Sequence, residues 1–361
     1  MRLLVTGGCG FLGSNLAAHY LRAGAQVTII DALFRTGGAA NLDWLRAQAP
    51  NNQPEFHRID LADEFAVNAV LARSSPFDYV CHLGGQVAMT TSLEDPRRDL
   101  LTNVVGTFNV LEAVRRHSPE ALVAYSSTNK VYGDLRHLTY LEGDTRYTVA
   151  EYPHGFDESL PLDFASPYGC SKGAADQYVR DWFRNFGLQT VVFRHSSIYG
   201  GRQFSTFDQG WIGWFCRQAL EQADARIRGI AIKPFTVQGT GKQVRDVLHA
   251  EDLIRLYVLA FEQRESAGGE IFNIGGGMQN SLSLLELFGL LEQLLQFAAP
   301  LEFTRLDRRQ SDQDVFVSHI GKARRLLGWE PRVTKEDGVG RMLEWSRHQA
   351  IASLSSTHMI R

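Results

Sequence analysis

The stretch Arg2-Leu3-Leu4-Val5-Thr6-Gly7-Gly8-Cys9-Gly10-Phe11-Leu12-Gly13 decides the fold. Leu3 to Thr6 is a short apolar run that predicts a strand. Phe11 to Ala23 follows with apolar residues at helical spacing (Phe11, Leu12, Leu16, Ala17, Tyr20, Leu21), and Gly24 stops it. Between them stands Gly-x-x-Gly-x-x-Gly. Gly7 permits the tight turn, Gly10 lets a pyrophosphate approach the backbone, and Gly13 lets the helix pack close to the sheet. Helix-end N–H groups and the helix dipole hold the anion. The pattern predicts a dinucleotide site. Val27 to Ile30 predicts a second strand that ends on Asp31, a carboxylate placed to bond ribose hydroxyls and repel a 2′-phosphate. NAD is therefore expected over NADP, with Arg35 close enough to blur the preference. Asp60-Leu61 ends the third strand and flanks the adenine on this reading; a plain turn aspartate is the other.

Outward from this unit, strands alternate with helices. Apolar runs at Phe56–Ile59, Tyr79–Leu83 and Leu122–Ser126 are separated by helical stretches at about 63–73 and 100–116. The expected fold class is α/β, a doubly wound parallel Rossmann sheet with a smaller mixed α/β substrate domain. Residues 1–194 form the cofactor domain, to which 243–273 return. Residues 195–242 and 274–347 form the substrate domain, and 348–361 are a polar, loose tail. Residues 134–165 lack periodicity and are expected to form a functional loop or lid, with a floppy insertion as the alternative.

Composition narrows the function. The 361 residues carry 37 basic and 40 acidic groups, a formal charge of −3. No basic field is available for nucleic acid or a membrane surface. No run reaches the roughly 18 apolar residues of a membrane span. The N-terminal run is also too short for a signal peptide. Cys9, Cys81, Cys170 and Cys216 form no CxxC pair, so no metal site is expected, and unpaired thiols suit a reducing cytoplasm.

Two further stretches carry chemistry. Ser166 reads as an N-cap and Pro167 as the first helical residue, which puts Tyr168 and Lys172 on one helical face. An ammonium beside a phenol favours the phenolate and makes a base for a substrate hydroxyl; a solvated helix face is the bland alternative. Ser126-Ser127-Thr128-Asn129-Lys130-Val131-Tyr132-Gly133 follows a strand directly. There Thr128 would bond the reacting oxygen, unless these hydroxyls only cap a turn.

These residues resemble the extended short-chain dehydrogenase/reductase family, the nucleotide-sugar epimerases and dehydratases. The resemblance covers about residues 1–345. It rests on the glycine loop, His82-Leu83-Gly84-Gly85-Gln86, Asn103-Val104-Val105-Gly106-Thr107, Thr128–Gly133, Tyr168/Lys172, Arg194 with Tyr199-Gly200, and Phe235–Asp252. It implies NAD as cofactor and Thr128, Tyr168 and Lys172 as catalytic residues. NAD would be bound by Gly7, Gly10, Phe11, Leu12, Gly13, Asp31, Asp60, Leu61, Leu83, Gln86, Asn103, Tyr168, Lys172 and His195. Substrate would be bound by Thr128, Ser197, Arg202, Arg245, Arg309 and Asp312, with Arg245 on a diphosphate. A structural role for His195, and surface ion pairs for Arg245 and Arg309, stay open.

Departures carry information. The family's dehydratases need an Asp-Glu pair where this chain has Asn129 and Lys130, which argues against dehydration. At Ser197 many 4-epimerases carry Asn. Long stretches, among them His195-Ser196-Ser197 and Gln209-Gly210-Trp211-Ile212-Gly213-Trp214, resemble the members that invert carbon 2 of a CDP-linked 3,6-dideoxyhexose in O-antigen biosynthesis. A UDP-sugar 4-epimerase is the alternative within the family, and a non-catalytic NAD-binding sensor or scaffold the alternative outside it. A cytoplasmic homo-oligomer without nucleic-acid or membrane partners is expected.

Overall fold

Leu3 and Val5 pack in one core and Leu4 in another, all three without exposed surface. Successive strand residues point to opposite faces, so an unbroken apolar run suits a strand covered on both sides. The computed structural model describes residues 1–308 and 312–358. Seven parallel strands form the main sheet, in the order Ile271–Ile274, Thr190–His195, Leu122–Thr128, Tyr79–His82, Arg2–Thr6, Gln26–Asp31, Glu55–Arg58. The order reverses beside Arg2–Thr6, and a crevice opens beyond the carboxyl ends of the strands there. This is the doubly wound α/β fold expected from the sequence.

Helices cover both faces. Helix Phe11–Arg22 buries Leu16, Ala17, Tyr20 and Leu21 on one face. Helix Ser166–Phe186 places Ala175, Val179 and Trp182 against the other, at i, i+4 and i+7. Gly187, at φ 72°, ends that helix where the sequence predicted a stop. Its cap falls on Ala165, one residue before the expected Ser166, although Ser166 Oγ still accepts the Gly169 N–H at 3.2 Å.

The smaller part packs helices Trp211–Arg228 and Leu284–Leu294 around Phe215, Phe235, Phe288 and Leu291. Strand Val244–His249 belongs here: it pairs with Ser197–Tyr199, Ser281–Ser283 and Val315–Phe316. The chain then crosses back, and Ile271–Ile274 joins the edge of the main sheet. Residues 134–165 are a packed segment and not a floppy insertion. They contain the hairpin Tyr140–Glu142/Tyr147–Val149 and bury Phe156 and Leu160, with Phe156 stacked on Phe316 at 5.4 Å. Its apolar side chains share a core with Tyr132, Val244, Val315 and Phe316 from outside the segment, which its local sequence pattern does not reveal. The last helix, Lys335–His358, runs past residue 348, where the sequence predicted a loose tail. No helix among the described residues is long and apolar enough to cross a membrane.

One buried ion pair ties the sheet to helix Ser166–Phe186. Arg194 Nε and Nη2 donate to the two Asp176 oxygens at 2.9 and 2.8 Å, with the side chains 3% and 0% exposed. Removing one partner strands a buried charge. Asp176→Ala is expected to lower stability by about 3–5 kcal/mol. The expected readout is a lower urea midpoint at unchanged slope; a wild-type midpoint would show that the pair does not hold these elements together.

Candidate active site

The crevice is a cavity of about 540 Å³. At one end its floor is the glycine turn. Gly7 sits at φ 68°, and a Cβ there would lie 2.7 Å from Gly84 Cα. A Cβ on Gly13 would lie 2.1 Å from Gly7 O. Both positions therefore require glycine, and the backbone lies open at the start of helix Phe11–Arg22. Asp31 lines the same end, its carboxylate accepting the N–H groups of Cys9 at 2.9 Å and Leu33 at 2.7 Å. Phe11, Leu12, Asp60, Leu61 and Leu83 also line it. Asp60 accepts the Ala62 N–H at 3.0 Å, so it closes a turn as well as facing the cavity. This cradle fits a dinucleotide pyrophosphate with its ribose on Asp31.

Thr128, Tyr168 and His195 converge deeper in the cavity. Thr128 ends its strand with its side chain close to the Tyr168 phenol. Burial pushes the Tyr168 phenol up to about 12, opposed by the Thr128 hydrogen bond and reinforced by Asp99. The sequence led us to expect a phenol lowered by Lys172. Instead the Lys172 ammonium donates to Ser126 O at 2.5 Å and lies 4.2 Å over the Tyr125 ring. Burial pushes Lys172 itself down to about 7, against the pull of Asp176 and Asp99. Desolvation outweighs the pairing that spacing alone suggested.

His195 Nδ1 bonds Ser126 Oγ at 3.1 Å, while its buried Nε2 has no partner. Such an orphaned polar atom is costly unless a ligand satisfies it, and it fits the carboxamide of a nicotinamide. The groups lining the cavity from the glycine turn to His195 thus fit NAD.

Gln86, Asn103 and Lys172, expected on the cofactor, are absent from the cavity wall among the described residues. Asn103 lies in a π-helical turn, Leu100–Val105. It accepts the Gln86 N–H at 2.8 Å and donates to Ser171 Oγ at 3.0 Å. The Gln86 amide donates to Ala88 O and Asp99, each at 2.7 Å. Asn103 braces helix Ser166–Phe186 directly through Ser171, and Gln86 braces it through Asp99, whose other oxygen accepts the Ser171 hydroxyl at 3.2 Å.

Of the expected substrate residues, Ser197, Arg202, Arg245 and Asp312 line the cavity. Arg309 lies outside the described residues. Arg245 Nη2 donates to Asp312 Oδ1 at 2.7 Å, and the same oxygen lies 3.4 Å from Lys130 Nζ. Ser197 Oγ accepts the Trp211 indole N–H at 3.1 Å. Arg202 is turned towards the cofactor end: its Nε donates to Asn41 Oδ1 at 2.9 Å and its guanidinium lies 4.8 Å over Trp44 and 5.0 Å over Trp345.

Sequence reasoning missed a strap. Residues 202–210 cross the turn that follows Asp31. Phe204 packs on Gly37, where a Cβ would lie 2.1 Å from the ring, and Arg35 bonds Gln209 and lies 3.9 Å from Asp208. Arg35 is therefore engaged with the strap. Trp214, Phe215, Thr236, Gln238 and Leu284, from the smaller part, wall the opposite end.

The burial of His195 has a pH consequence. Desolvation, with the nearby Lys172 charge, pushes its imidazole down to about 3. The unfolded chain binds this proton below about 6.5 and the fold does not, so stability falls as pH drops from about 6.5 towards 3. Buried His82, lowered to about 3 in the same way, adds to the slope. His195→Asn is expected to lessen the loss of urea midpoint between pH 7 and pH 5; equal losses in the two proteins would disprove the assignment.

Known proteins share this arrangement. The sequence pattern of the NAD dependent epimerase/dehydratase family matches residues 3–275. CDP-paratose 2-epimerase of Salmonella typhi is 52% identical over 346 residues, covering 96% of this chain and 99% of that protein. A dTDP-glucose 4,6-dehydratase of Neisseria meningitidis serogroup B is 32% identical, covering 95% and 92%. Among solved structures, UDP-glucose 4-epimerase of Thermotoga maritima with UDP-glucose aligns at TM-score 0.80 and 27% identity, over 97% of this chain and 100% of that one. UDP-glucose 4-epimerase of Thermus thermophilus in complex with NAD aligns at TM-score 0.76 and 26% identity, over 96% and 99%. With the glycine cradle, Asp31 and the Thr128–Tyr168 pair in one crevice, these matches establish that the chain belongs to the NAD dependent epimerase/dehydratase family.

Proposed function

We propose that the chain converts CDP-paratose to CDP-tyvelose by transient oxidation and re-reduction at carbon 2 of the sugar. The observation that carries this reading is the 52% identity to a CDP-paratose 2-epimerase along almost the full length of both proteins. The cavity supports it, because it joins a cradle for NAD to a buried hydroxyl pair and a cationic end.

NAD, when bound, supplies the acceptor and donor of a hydride and a positive charge that opposes the burial of the Tyr168 phenol. Tyr168 takes the proton of the carbon 2 hydroxyl as the ketone forms and returns it when the ketone is reduced on its other face. Thr128 holds the reacting oxygen beside the phenol. Lys172, pinned on Ser126 O, fixes helix Ser166–Phe186 against the strand that carries Thr128 and adds positive charge under the site. Arg245 binds the substrate diphosphate, exchanging Asp312 for phosphate oxygens. The anchored nucleotide leaves the dideoxy sugar able to turn over between the two half-reactions.

The same reading makes the protein a cytoplasmic homo-oligomer. Phe108, Tyr178 and Phe186 are 40%, 41% and 51% exposed around Trp182 on two adjacent helices, an apolar patch suited to a second copy. All four cysteines are free thiols, as a reducing compartment allows.

Purified protein is expected to form CDP-tyvelose from CDP-paratose, followed by proton NMR, and to leave UDP-galactose unchanged. Tyr168→Phe is expected to keep its NAD and lose roughly 100-fold or more in turnover. Epimerisation of UDP-galactose in place of CDP-paratose would sink the substrate reading. Wild-type turnover by Tyr168→Phe would sink the base.

A further inference from the structure

The proposed reaction passes through a ketone at carbon 2 of a 3-deoxy sugar. This inference rests on that reading. Such a ketone has an acidic methylene at carbon 3 and a hydroxyl on carbon 4. A base that removes a carbon 3 proton leaves an enolate. Its electron pair can form the carbon 3–carbon 4 double bond as the carbon 4–oxygen bond breaks, and the departing hydroxide leaves as water after taking a proton. The product is an enone, and no oxidant or reductant is needed. An epimerase that holds this ketone while the sugar turns must deny it a second base.

The cavity does so. The carboxylates lining it, among the described residues, are Asp31, Asp60, Asp208 and Asp312. Asp31 and Asp60 stand at the strand ends of the cofactor cradle. Asp208 accepts the Thr206 hydroxyl at 2.5 Å on the strap. Asp312 stands on the wall beside Lys130, and one of its oxygens takes Arg245 at 2.7 Å, the Gln313 N–H at 3.0 Å and Lys130 at 3.4 Å. The His195 imidazole, already pushed to low pKa, is a weak proton acceptor. The two wall positions after Thr128 carry an amide and an ammonium. Asn129 Nδ2 donates to Gln313 Oε1 at 2.9 Å, and Gln313 Nε2 donates onward to Gly133 O at 2.7 Å. Neither an amide nor an ammonium accepts a proton from carbon.

We propose that Asn129 and Lys130, held by Gln313 and Asp312, are specificity-determining residues that protect the transient 2-keto sugar from proton loss at carbon 3 and elimination of its carbon 4 hydroxyl. Lys130 acts twice: it fills the wall with a cation and pairs with Asp312, the carboxylate next to it.

The test runs the NAD-loaded enzyme on CDP-paratose in D2O. NMR reads deuterium at carbon 3, and ultraviolet absorbance reads enone. Wild type is expected to place less than about one deuterium per hundred turnovers at carbon 3, the low end of what a positioned base contributes. Asn129→Asp/Lys130→Glu and the single variant Lys130→Glu are expected to raise that figure by about 100-fold per turnover, with enone accumulating. Deuterium entering carbon 3 in wild type as often as the sugar turns over would overturn the proposal while leaving the epimerase reading intact, and this arm needs no variant to fold. A variant that makes CDP-tyvelose with neither deuterium at carbon 3 nor enone would also overturn it. Wild type that forms no CDP-tyvelose at all defeats the epimerase reading and this proposal together.

Discussion

The buried pair of Arg194 and Asp176 is the constraint on which the site depends. Arg194 stands on strand Thr190–His195, next to His195. Asp176 stands on helix Ser166–Phe186, one turn beyond Lys172. Ser127, next to Thr128, donates its hydroxyl to the same carboxylate at 2.7 Å. Arg194 Nη1 reaches Tyr132 Oη at 2.9 Å, and that hydroxyl reaches Asn273 Oδ1 at 2.8 Å on the edge strand. One bidentate contact therefore fixes the relative positions of the elements carrying Thr128, Tyr168, Lys172 and His195. Two charges out of water are costly, and such a pair is kept only where every donor and acceptor is satisfied. Its return here is positional: side chains used in chemistry must be held by neighbours that cannot move.

Beyond this frame, charge is handled locally. A chain of formal charge −3 offers no field to attract two anionic ligands. The anion sites are instead built from glycine-turn N–H groups at one end and from Arg245 and Lys130 at the other, whose charges Asp312 balances. Between them the reacting region is desolvated, and desolvation dominates its titration. It raises Tyr168, lowers Lys172 and keeps His195 neutral. The residue types that suggest a tyrosine–lysine base thus describe the site with its ligands in place, since in the chain alone burial favours the neutral form of each group.

That distinction explains how much was legible. The glycine loop could be read because turn, close approach and helix start are consecutive in sequence. Asp31 could be read because a strand ends on it, and Thr128, Tyr168 and Lys172 because a strand end and a helical turn fix them locally. Gln86 and Asn103 lie in stretches that resemble the family, yet their side chains point into a brace, and motif membership does not state direction. The strap was invisible: Arg35 and Gln209 are 174 positions apart, and nothing in either neighbourhood names the other. The core of residues 134–165 was hidden for a similar reason, because Phe156 packs on Phe316, far along the chain.

The two ends of the cavity are closed in different ways, and the difference suits a reaction with no net redox. At the cofactor end, Phe204 on Gly37, Arg202 among Trp44 and Trp345, and Arg35 on the strap lock the turn after Asp31 to the segment that follows Tyr199. Arg202 adopts φ 71°, a conformation unfavourable for a side chain, and the aromatic box and Asn41 offset that strain. A cofactor that is restored in every turnover has no need of an exit there. At the other end, Trp214, Phe215 and Leu284 come from the smaller part. Substrate and product must pass this end in each cycle. The cofactor end is locked by contacts between segments far apart in the chain, and the end that substrate passes is walled by side chains of the smaller part.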